Sequence, residues 1–314
     1  LRMELGLSSA SGGDIFAVIQ YITLIMNGVV MAAFAIVMYP HAKVAAKRIG
    51  EVLEVESAVE PEEEALRFTG DIRLENVCFC YEGAAESAVS DISLHILPGQ
   101  QAAVIGGTGS GKSTLVQLLM GFRRPSSGQI LFDGRDSRSL SPKTIRANIS
   151  CVLQKAAIYS GSIRKNIQMG RPDAGDEEIL QAAEIAQMGD YLASLPEGLD
   201  HELTQAGKNL SGGQKQRVCI ARAVLKDAPI YIFDDSFSAL DFLTEARLRK
   251  ALSERTKGKT RIVITQRVSS AMSCDCIFVM DKGRLVDAGT HGELLERCKI
   301  YQEIYVSQTG GERR

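Results

Sequence analysis

The sequence predicts an α/β fold with a mostly parallel sheet, an antiparallel β subdomain and a helical subdomain, preceded by one transmembrane helix. Three observations predict this fold. An uncharged segment of 25 residues, Ile15 to Tyr39, lies near the start. Two segments with alternating apolar residues follow, and after them apolar strands alternate with amphipathic helices. The last pattern is typical of parallel sheets with helices on both faces.

The composition bounds the possible functions. The chain has 314 residues, 36 Lys and Arg against 38 Asp and Glu, and a formal net charge of −2. This length predicts two domains or one large one. Because there is no basic excess, nucleic-acid binding has no electrostatic support, and we expect no nucleic-acid partner.

The cysteines predict a reducing environment. There are seven, an odd number, and they lie in apolar periodic segments, which predicts reduced, buried thiols in a cytosolic compartment. The C-x-C pairs at 78/80 and 274/276 have no matching histidine pairs, so we expect no metal site there. The cysteines are Cys78, Cys80, Cys151, Cys219, Cys274, Cys276 and Cys298.

The uncharged segment is long enough to cross a membrane. As a helix it spans roughly 37 Å, at about 1.5 Å per residue. Basic residues at positions 43, 47 and 48 follow it, which predicts a cytoplasmic C-terminal end. We expect residues 1–54 to be the end of a transmembrane domain, with a membrane helix at about 14–39 and a helical cytosolic extension.

Polar residues share one face of this helix. Gln20, Thr23 and Asn27 are spaced three and four apart. They could make hydrogen bonds to other membrane helices or line a substrate path, and both readings stay open. One helix cannot form a pathway, and the chain begins at Leu1 without an initiator methionine. We therefore expect further membrane helices upstream or on another chain.

A linker and a strand-rich segment come next. Residues 55–70, with glutamates clustered around a proline, predict a solvated acidic linker. Alternation over 72–77 and 89–96 predicts two antiparallel strands with Tyr81 in the connecting turn. The segment SSGQILFDG at 126–134 predicts another strand.

Residues 102–121, AAVIGGTGSGKSTLVQLLMG, read as a strand, a glycine-rich turn and a helix. Gly106, four further residues and then Gly111-Lys112-Ser113 fit the P-loop pattern in this setting. Backbone N–H groups and the helix N-terminus can bind phosphate oxygens. Lys112 would reach the β- and γ-phosphates and Ser113 would ligate Mg²⁺. The sequence therefore predicts binding of a nucleoside triphosphate.

The second half predicts the helical subdomain and two buried strands. A helical section runs from Asp176 to Ser194. The apolar strand at 230–235 ends in two carboxylates, and the strand at 261–265 ends at Gln266.

A second glycine-containing helix start lies at Ser211-Gly212-Gly213. Its free N–H groups and positive dipole end suit an anion. Since the chain already has a P-loop for its own phosphates, this helix start would serve another nucleotide. In the alternative reading, Ser211 is only an N-cap.

In this order the motifs resemble the nucleotide-binding domain of an ABC (ATP-binding cassette) exporter, preceded by its final membrane helix. The resemblance covers about residues 13–306, and its most specific motif is LSGGQ at 210–214. It implies a P-loop ATPase core at 71–307, a tail at 308–314, and ATP and Mg²⁺ as cofactors. It also implies a location in the cell (inner or plasma) membrane with the nucleotide-binding domain in the cytoplasm.

The resemblance implies a role for each motif residue. Tyr81 resembles the aromatic residue that stacks on adenine, Gln154 the glutamine near Mg²⁺ and the attacking water, and Asp234 the carboxylate that holds Mg²⁺ through water. Asp241 ends the D-loop, which crosses a dimer interface. In that dimer, each ATP lies between one subunit's Walker A loop and the other's signature segment. Here those segments are Gly106, Gly107, Thr108, Gly109, Ser110, Gly111, Lys112, Ser113 and Thr114, and Leu210, Ser211, Gly212, Gly213 and Gln214.

Two positions depart from the family pattern. Asp235 occupies the position where active members carry a catalytic glutamate, and Gln266 replaces the switch histidine. A carboxylate withdrawn by about 1 Å can cost on the order of 10²-fold in rate, and an amide cannot become cationic. The segment 204–207 also lacks a glutamate that exporters commonly carry.

These departures resemble the degenerate-site subunit of bacterial heterodimeric multidrug exporters. The expected partners are a second half-transporter subunit, the membrane and a transported small molecule. Alternatives are a homodimeric exporter, which would hydrolyse ATP very poorly, and an ABC-type regulatory nucleotide sensor. A soluble ABC ATPase acting on chromosomes or ribosomes is disfavoured by the uncharged helix.

Overall fold

The computed structural model describes residues 12–54 and 65–310, and the chain divides into two compact units, residues 1–59 and 60–314. In the first unit, helix α1 (Gly12–Leu53) has no buried residue. Judged by length and composition alone, this helix is long enough and apolar enough to cross a membrane. The expected helical extension is present, since the helix continues through Pro40. Most of the predicted linker, residues 55–64, and residues 311–314 of the tail lie outside the described residues.

The second unit contains the strands and the remaining helices. The strands are β1 Ile72–Phe79, β2 Val89–Ile96, β3 Gln101–Ile105, β4 Ser127–Phe132, β5 Arg135–Asp136, β6 Ile149–Val152, β7 Gly161–Ser162, β8 Glu202–Leu203, β9 Ile230–Asp234, β10 Thr260–Thr265, β11 Cys276–Asp281 and β12 Arg284–Gly289. The helices are α2 Lys112–Leu119, α3 Pro142–Ala147, α4 Ile163–Gln168, α5 Asp176–Ile185, α6 Gly189–Ala193, α7 Gly212–Lys226, α8 Phe242–Arg255, α9 Val268–Ala271, α10 His291–Arg297 and α11 Lys299–Thr309.

The central sheet has the strand order β12-β11-β3-β10-β9-β6. All neighbouring strands are parallel except β12, which pairs antiparallel with β11. Strand β9 is buried along its whole length because both faces of the sheet are covered. The predicted mostly parallel sheet is confirmed. It brings the ends of β3, β9 and β10 to one edge.

The antiparallel subdomain is also confirmed, with strand order β2-β1-β4-β5. Ile72 of β1 lies opposite Ile96 of β2 and Phe132 of β4. Their side chains belong to a core that also contains Leu115 and Leu118 of α2. This packing holds the small sheet against the helix that follows the glycine-rich loop.

The predicted helical section at 176–194 consists of two helices in the structure. Helix α5 ends before Gln187, whose φ is +58°, in the left-handed region that ends helices. The Gln187 carbonyl accepts a hydrogen bond from Arg217 of α7 at 2.5 Å. Buried Met188 then precedes α6.

The prediction of buried cysteines is only partly correct. All seven are free thiols, but Cys78, Cys80, Cys151 and Cys276 are only half-buried. Cys78 shows the reason, since it lies between buried Val77 and Phe79 on the more exposed face of β1. Within the described residues no group of three or more His, Cys, Asp or Glu side chains could hold a metal ion.

Candidate functional site

The glycine-rich loop joins β3 to α2, and its shape requires glycine. A Cβ at Gly106 would lie 2.2 Å from the carbonyl oxygen of Met280 in β11. Gly111, with φ +96°, would bring a Cβ to 2.7 Å from the Ala88 carbonyl. Backbone packed this closely leaves no room for side chains. The loop is therefore pressed against its neighbours, and its other side faces a cavity.

Lys112 folds over this loop. Its Nζ donates hydrogen bonds to the carbonyl oxygens of Gly106 at 2.8 Å and Gly107 at 2.7 Å, and to Ser110 Oγ at 3.1 Å. Burial lowers the pKa of Lys112, while Asp234 and Asp235 act in the opposite direction. An ammonium group beside a glycine-rich loop, whose backbone N–H groups can turn toward an anion, is suited to bind phosphate.

Two carboxylates end β9 opposite the lysine. Burial raises the pKa of Asp234, and the neighbouring Asp235 raises it further. Burial also raises the pKa of Asp235, although Arg267, Gln154 and Lys112 lower it in part. Asp235 has φ +45°, and its N–H donates to the Ile264 carbonyl at 2.8 Å. This backbone conformation is uncommon outside glycine, asparagine and aspartate, and it turns the chain sharply after the strand.

These groups line a single cavity of about 300 Å³. Gln154, which follows β6, donates from Nε2 to Asp235 Oδ2 at 3.4 Å. Gln266, which follows β10, also lines the cavity. The lining residues are Ala88, Thr108, Gly109, Ser110, Gly111, Lys112, Ser113, Thr114, Gln154, Asp234, Asp235, Ile264, Thr265 and Gln266.

Tyr81 lies beside this cavity but does not line it. Its hydroxyl is 3.2 Å from Thr114 Oγ1 and donates to Gln117 Oε1 at 3.5 Å. Its ring makes an edge contact with Phe79 at 4.9 Å, and the Arg123 guanidinium is 5.8 Å from the ring centroid. The ring is half-buried at the end of β1, so it is held next to the start of α2.

The LSGGQ segment is not part of this cavity. Ser211 caps α7, accepting from the Gln214 N–H, and the Gln214 side chain accepts from the Ser211 N–H at 2.7 Å. Ser211 is therefore the N-cap of α7, as the alternative interpretation of this segment expects. Ser211 is exposed, and a Cβ at Gly213 would lie 3.1 Å from the Ala239 carbonyl. The helix start thus packs against the segment 238–241 and faces solvent.

Helix α7 also contacts the Gln154 segment. Gln216, one turn into the helix, donates from Nε2 to the backbone oxygen of Gln154 at 2.9 Å. Gln216 is not among the site residues predicted from the sequence, because nothing in its local pattern points to position 154.

Asp241 is the N-cap of α8, and its carboxylate accepts from the Thr244 N–H at 3.0 Å. This bond lowers the pKa of Asp241. Arg267 and Glu245 lie near Asp235, and neither is among the site residues predicted from the sequence. Arg267 donates to the Ser238 carbonyl at 3.2 Å and lies 3.7 Å from a Glu245 carboxylate oxygen.

Comparisons with known proteins agree with this geometry. A family model described as ABC transporter matches residues 89–238. The chain is 41% identical over 306 residues to YfiB of Bacillus subtilis, an uncharacterized ABC transporter ATP-binding protein, covering 97% of this chain and 53% of YfiB. It is 39% identical over 235 residues to the beta-(1→2)glucan export ATP-binding/permease protein NdvA of Brucella melitensis, covering 75% of this chain and 39% of NdvA.

A solved structure shows the same architecture. The structure of a bacterial Atm1-family ABC exporter with ATP bound superposes with a TM-score of 0.80 at 30% identity, covering 97% of this chain and 54% of that chain. The chain spans about half the length of the curated relatives it matches.

Proposed function

We propose that this chain, which matches the ABC transporter family model over residues 89–238, is the ATPase part of an exporter subunit whose own ATP site hydrolyses slowly. In this proposal the chain pairs with a second half-transporter subunit. Its LSGGQ segment completes the partner's competent site, while the partner's signature segment covers the ATP bound at Lys112.

ATP binding is supported by the cavity next to the glycine-rich loop. The backbone N–H groups of residues 107–113 and the start of α2 provide donors for phosphate oxygens. The Lys112 ammonium can exchange its bonds to Gly106 and Gly107 for bonds to the β- and γ-phosphates. In this proposal Tyr81, whose hydroxyl contacts Thr114, would stack on adenine.

The residues of the cavity also fit Mg²⁺. The Ser113 hydroxyl, the Asp234 carboxylate and the Gln154 amide all line it and offer the oxygen ligands that Mg²⁺ prefers. Bound there with ATP, Mg²⁺ would neutralise charge on the β- and γ-phosphate oxygens. Asp234, whose pKa burial raises, would be held in its ionised form by the cation.

One observation carries the slow-hydrolysis proposal: both departures from the family pattern, Asp235 and Gln266, line the ATP cavity itself. Asp235 is one methylene shorter than the glutamate of active members, so its carboxylate ends farther from an attacking water. The Asp235 carboxylate also accepts a hydrogen bond from the Gln154 amide. Gln266 can donate to a γ-phosphate but stays neutral. The groups that would bind ATP are therefore all present. In contrast, Asp235 and Gln266, which would serve proton transfer and charge stabilisation, are weaker than their family counterparts.

The position of the LSGGQ segment supports pairing with a second subunit. This exposed helix start lies outside the chain's own cavity, so the N–H groups of Gly212 and Gly213, which the cap of α7 does not use, are available to another nucleotide. The segment 238–241, against which it packs, would lie at the same interface. A partner with the family glutamate after its own aspartate would supply the competent site.

The proposed mechanism is alternating access. Two bound ATP molecules close the paired ATP-binding domains, the membrane helices turn outward, and hydrolysis at the competent site reopens them. Helix α1, with its apolar exposed surface, would lie in the cell membrane with the ATP-binding domain in the cytoplasm. The cargo would be a small molecule, of the multidrug type that the family resemblance suggests.

The test is single-site turnover in the assembled transporter. The chain is co-purified with a partner half-transporter, and ATPase rates are compared for the wild-type pair, for a partner lacking its catalytic glutamate, and for that same partner paired with Asp235→Glu/Gln266→His. We expect the partner mutation to abolish activity and the double substitution to restore it. Activity that survives the partner mutation with Asp235 unchanged contradicts the proposal. Assembly as a homodimer with full ATPase activity also contradicts it.

A further inference from the structure

A second cavity, of about 210 Å³, lies in the ATP-binding domain apart from the ATP site. It is lined by residues from β3, β9, β10 and α8, by Phe237 after β9 and by Ser273 in the turn before β11, and it shares no lining residue with the ATP cavity. The residues that matter for its chemistry are Phe233, Phe237, Arg249, Ser253, Arg261 and Ser273. It therefore combines aromatic walls with two guanidinium groups and two hydroxyls.

Arg261 is the cationic group of this cavity that lacks an ion pair. It donates to Gln101 Oε1 at 2.5 Å, and among the residues that the structure describes no carboxylate lies within salt-bridge distance of it. Burial lowers its pKa, and the nearby Cys274 and Asp275 offset this only in part. A half-buried guanidinium bonded to a neutral amide retains donors for an anion.

Arg249 differs from Arg261, because it is already paired. Its Nη2 lies 2.8 Å from a Glu245 oxygen and donates to Ser270 Oγ at 2.6 Å. Its guanidinium carbon lies 4.6 Å from the centroid of the Phe237 ring. Arg249 thus holds the aromatic wall in place and leaves Arg261 as the free anion contact.

The aromatic wall consists of Phe233 and Phe237, whose ring centroids are 5.5 Å apart. Both rings are almost fully buried, yet both line the cavity. A planar apolar ligand can pack on such a surface. The cavity is smaller than the pockets of about 300 Å³ or more that hold drug-sized ligands, so its ligand has the size of a single ring with one acidic group.

We propose that this cavity binds a small aromatic carboxylate, with the carboxylate on Arg261 and the hydroxyls of Ser253 and Ser273, and the ring against Phe237. The ring and the cation together select this class. A phosphate ion would leave the aromatic wall unused, and a neutral ring would leave the half-buried guanidinium of Arg261 without a counter-charge.

The carboxylate of Glu245, which contacts two arginines, connects the cavity to the segment 235–238. Glu245 binds Arg249 at the cavity and also lies 3.7 Å from Arg267, which donates to the Ser238 carbonyl. Phe237 itself follows Asp235 by two residues. A bound acid therefore contacts the segment that positions Asp235, and it would change ATP turnover. This second step rests on the proposed function, whereas binding of the acid does not.

Binding is tested with 4-fluorobenzoate, observed by ¹⁹F NMR, on the full chain in lipid nanodiscs without a partner. We expect Arg261→Gln to weaken binding at least about tenfold, which is ~1.4 kcal/mol. Ser273→Phe, a change at an exposed position at the cavity mouth, should block binding even if Arg261→Gln destabilises the fold. Arg247→Gln, which changes an exposed arginine of α8 that does not line the cavity, is the matched control and should bind as wild type.

Competitors separate the ligand classes. Saturating ATP should not displace 4-fluorobenzoate, and inorganic phosphate should compete much more weakly than benzoate. Equal binding by Arg261→Gln and wild type, equal competition by phosphate, or no binding up to about 10 mM, a free energy of roughly −2.7 kcal/mol, each overturns the proposal. Because none of these measurements involves ATP turnover, they are independent of the slow-hydrolysis proposal.

The link to catalysis has its own test. Saturating 4-fluorobenzoate should change the ATPase rate of the assembled transporter, and Glu245→Gln should abolish that response while leaving the acid bound. A rate that responds equally in wild type and Glu245→Gln contradicts transmission through the shared carboxylate.

Discussion

The side-chain amide of Gln154 donates to the carboxylate of Asp235 across 3.4 Å, although the two residues are 81 positions apart. This contact forms because the parallel strands β6 and β9 are neighbours and end at the same edge of the sheet. The carboxylate is consequently held among Gln154, Lys112 and Arg267. Even so, burial dominates, and the pKa of Asp235 is raised.

The raised pKa predicts a pH-dependent gain in stability for Asp235→Asn. In the folded state the carboxyl keeps its proton to higher pH than in the unfolded chain, where its pKa is about 3.9. The stability of the wild type therefore falls as pH rises from that value through the raised folded pKa, and above it the full cost is present. We expect nucleotide-free Asp235→Asn to melt at a higher temperature than wild type at pH 7.

The difference should shrink as the pH is lowered toward about 4, where the unfolded carboxyl also becomes protonated. Thermal melts at several pH values measure it. Asp173→Asn, at an exposed position, is the control and should show no such trend. A difference that stays constant with pH would assign the gain to another cause.

The glycine-rich loop predicts a contrast between two neighbouring glycines. Gly106→Ala places a Cβ 2.2 Å from the Met280 carbonyl and 2.6 Å from Ser110 Oγ, so the backbone must shift. Overpacking of this kind costs about 1–3 kcal/mol, which lowers the melting temperature by roughly 2–4 °C per kcal/mol in a domain of this size. The Cβ added by Gly107→Ala would have no neighbouring atom within 4 Å, so this variant should melt as wild type. Equal melting of the two variants would mean that the loop is not pressed against β11.

Lys112→Ala should weaken ATP binding. The substitution removes the only lysine that lines the ATP cavity within the described residues. Hydrogen bonds to charged groups contribute about 1.5–3 kcal/mol, so we expect a loss of roughly ten- to a hundredfold in affinity. Titration with a fluorescent ATP analogue measures this, with Lys250→Ala, an exposed residue of α8, as control. Unchanged affinity in Lys112→Ala would exclude this cavity as the triphosphate site.

Ser211 allows its capping role to be separated from its proposed contact with the partner's ATP. Ser211→Ala removes the cap of α7 and should cost about 1 kcal/mol. Ser211→Asp keeps a capping side chain, so it should retain most of the stability. Its negative charge, however, would repel phosphate across the interface.

The assembled transporter should therefore lose ATPase activity with Ser211→Asp, while the isolated chain melts close to the wild-type temperature. Thermal melts and ATPase assays on the same variants check this. Normal ATPase activity in Ser211→Asp would mean that the helix start does not face a nucleotide.

The parts of the fold that are predictable from sequence depend on local chemistry. Strands β3, β9 and β10 are apolar on both faces, and the glycine-rich turn between β3 and α2 has a pattern of its own. In contrast, the break at Gln187 has no local signal, since glutamine is not a residue that favours positive φ. The Gln187 carbonyl accepts a tertiary hydrogen bond from Arg217, a contact that no local pattern predicts.

The same limit applies to the site. The residues of the glycine-rich loop, Asp234 and Asp235 are predictable because they follow strands that end at one edge of the sheet. The contacts of Arg267 with Ser238 and Glu245 are not, because they connect segments more than 20 residues apart through side chains of variable reach. The second cavity is likewise a product of packing among several strands, α8 and two connecting segments, and it has no sequence motif.

The hydrogen bond from Gln216 to the Gln154 backbone has a mechanical consequence. Such a bond is lost when its 2.9 Å separation grows by more than about half an ångström. Any larger retreat of Gln154 must therefore break the bond or drag α7 along with it. Because the LSGGQ segment is at the exposed start of α7, a displacement of Gln154 at one nucleotide of the proposed pair would move the surface that faces the other nucleotide. The two nucleotide sites of a paired transporter would then be coupled through α7 and would not respond independently.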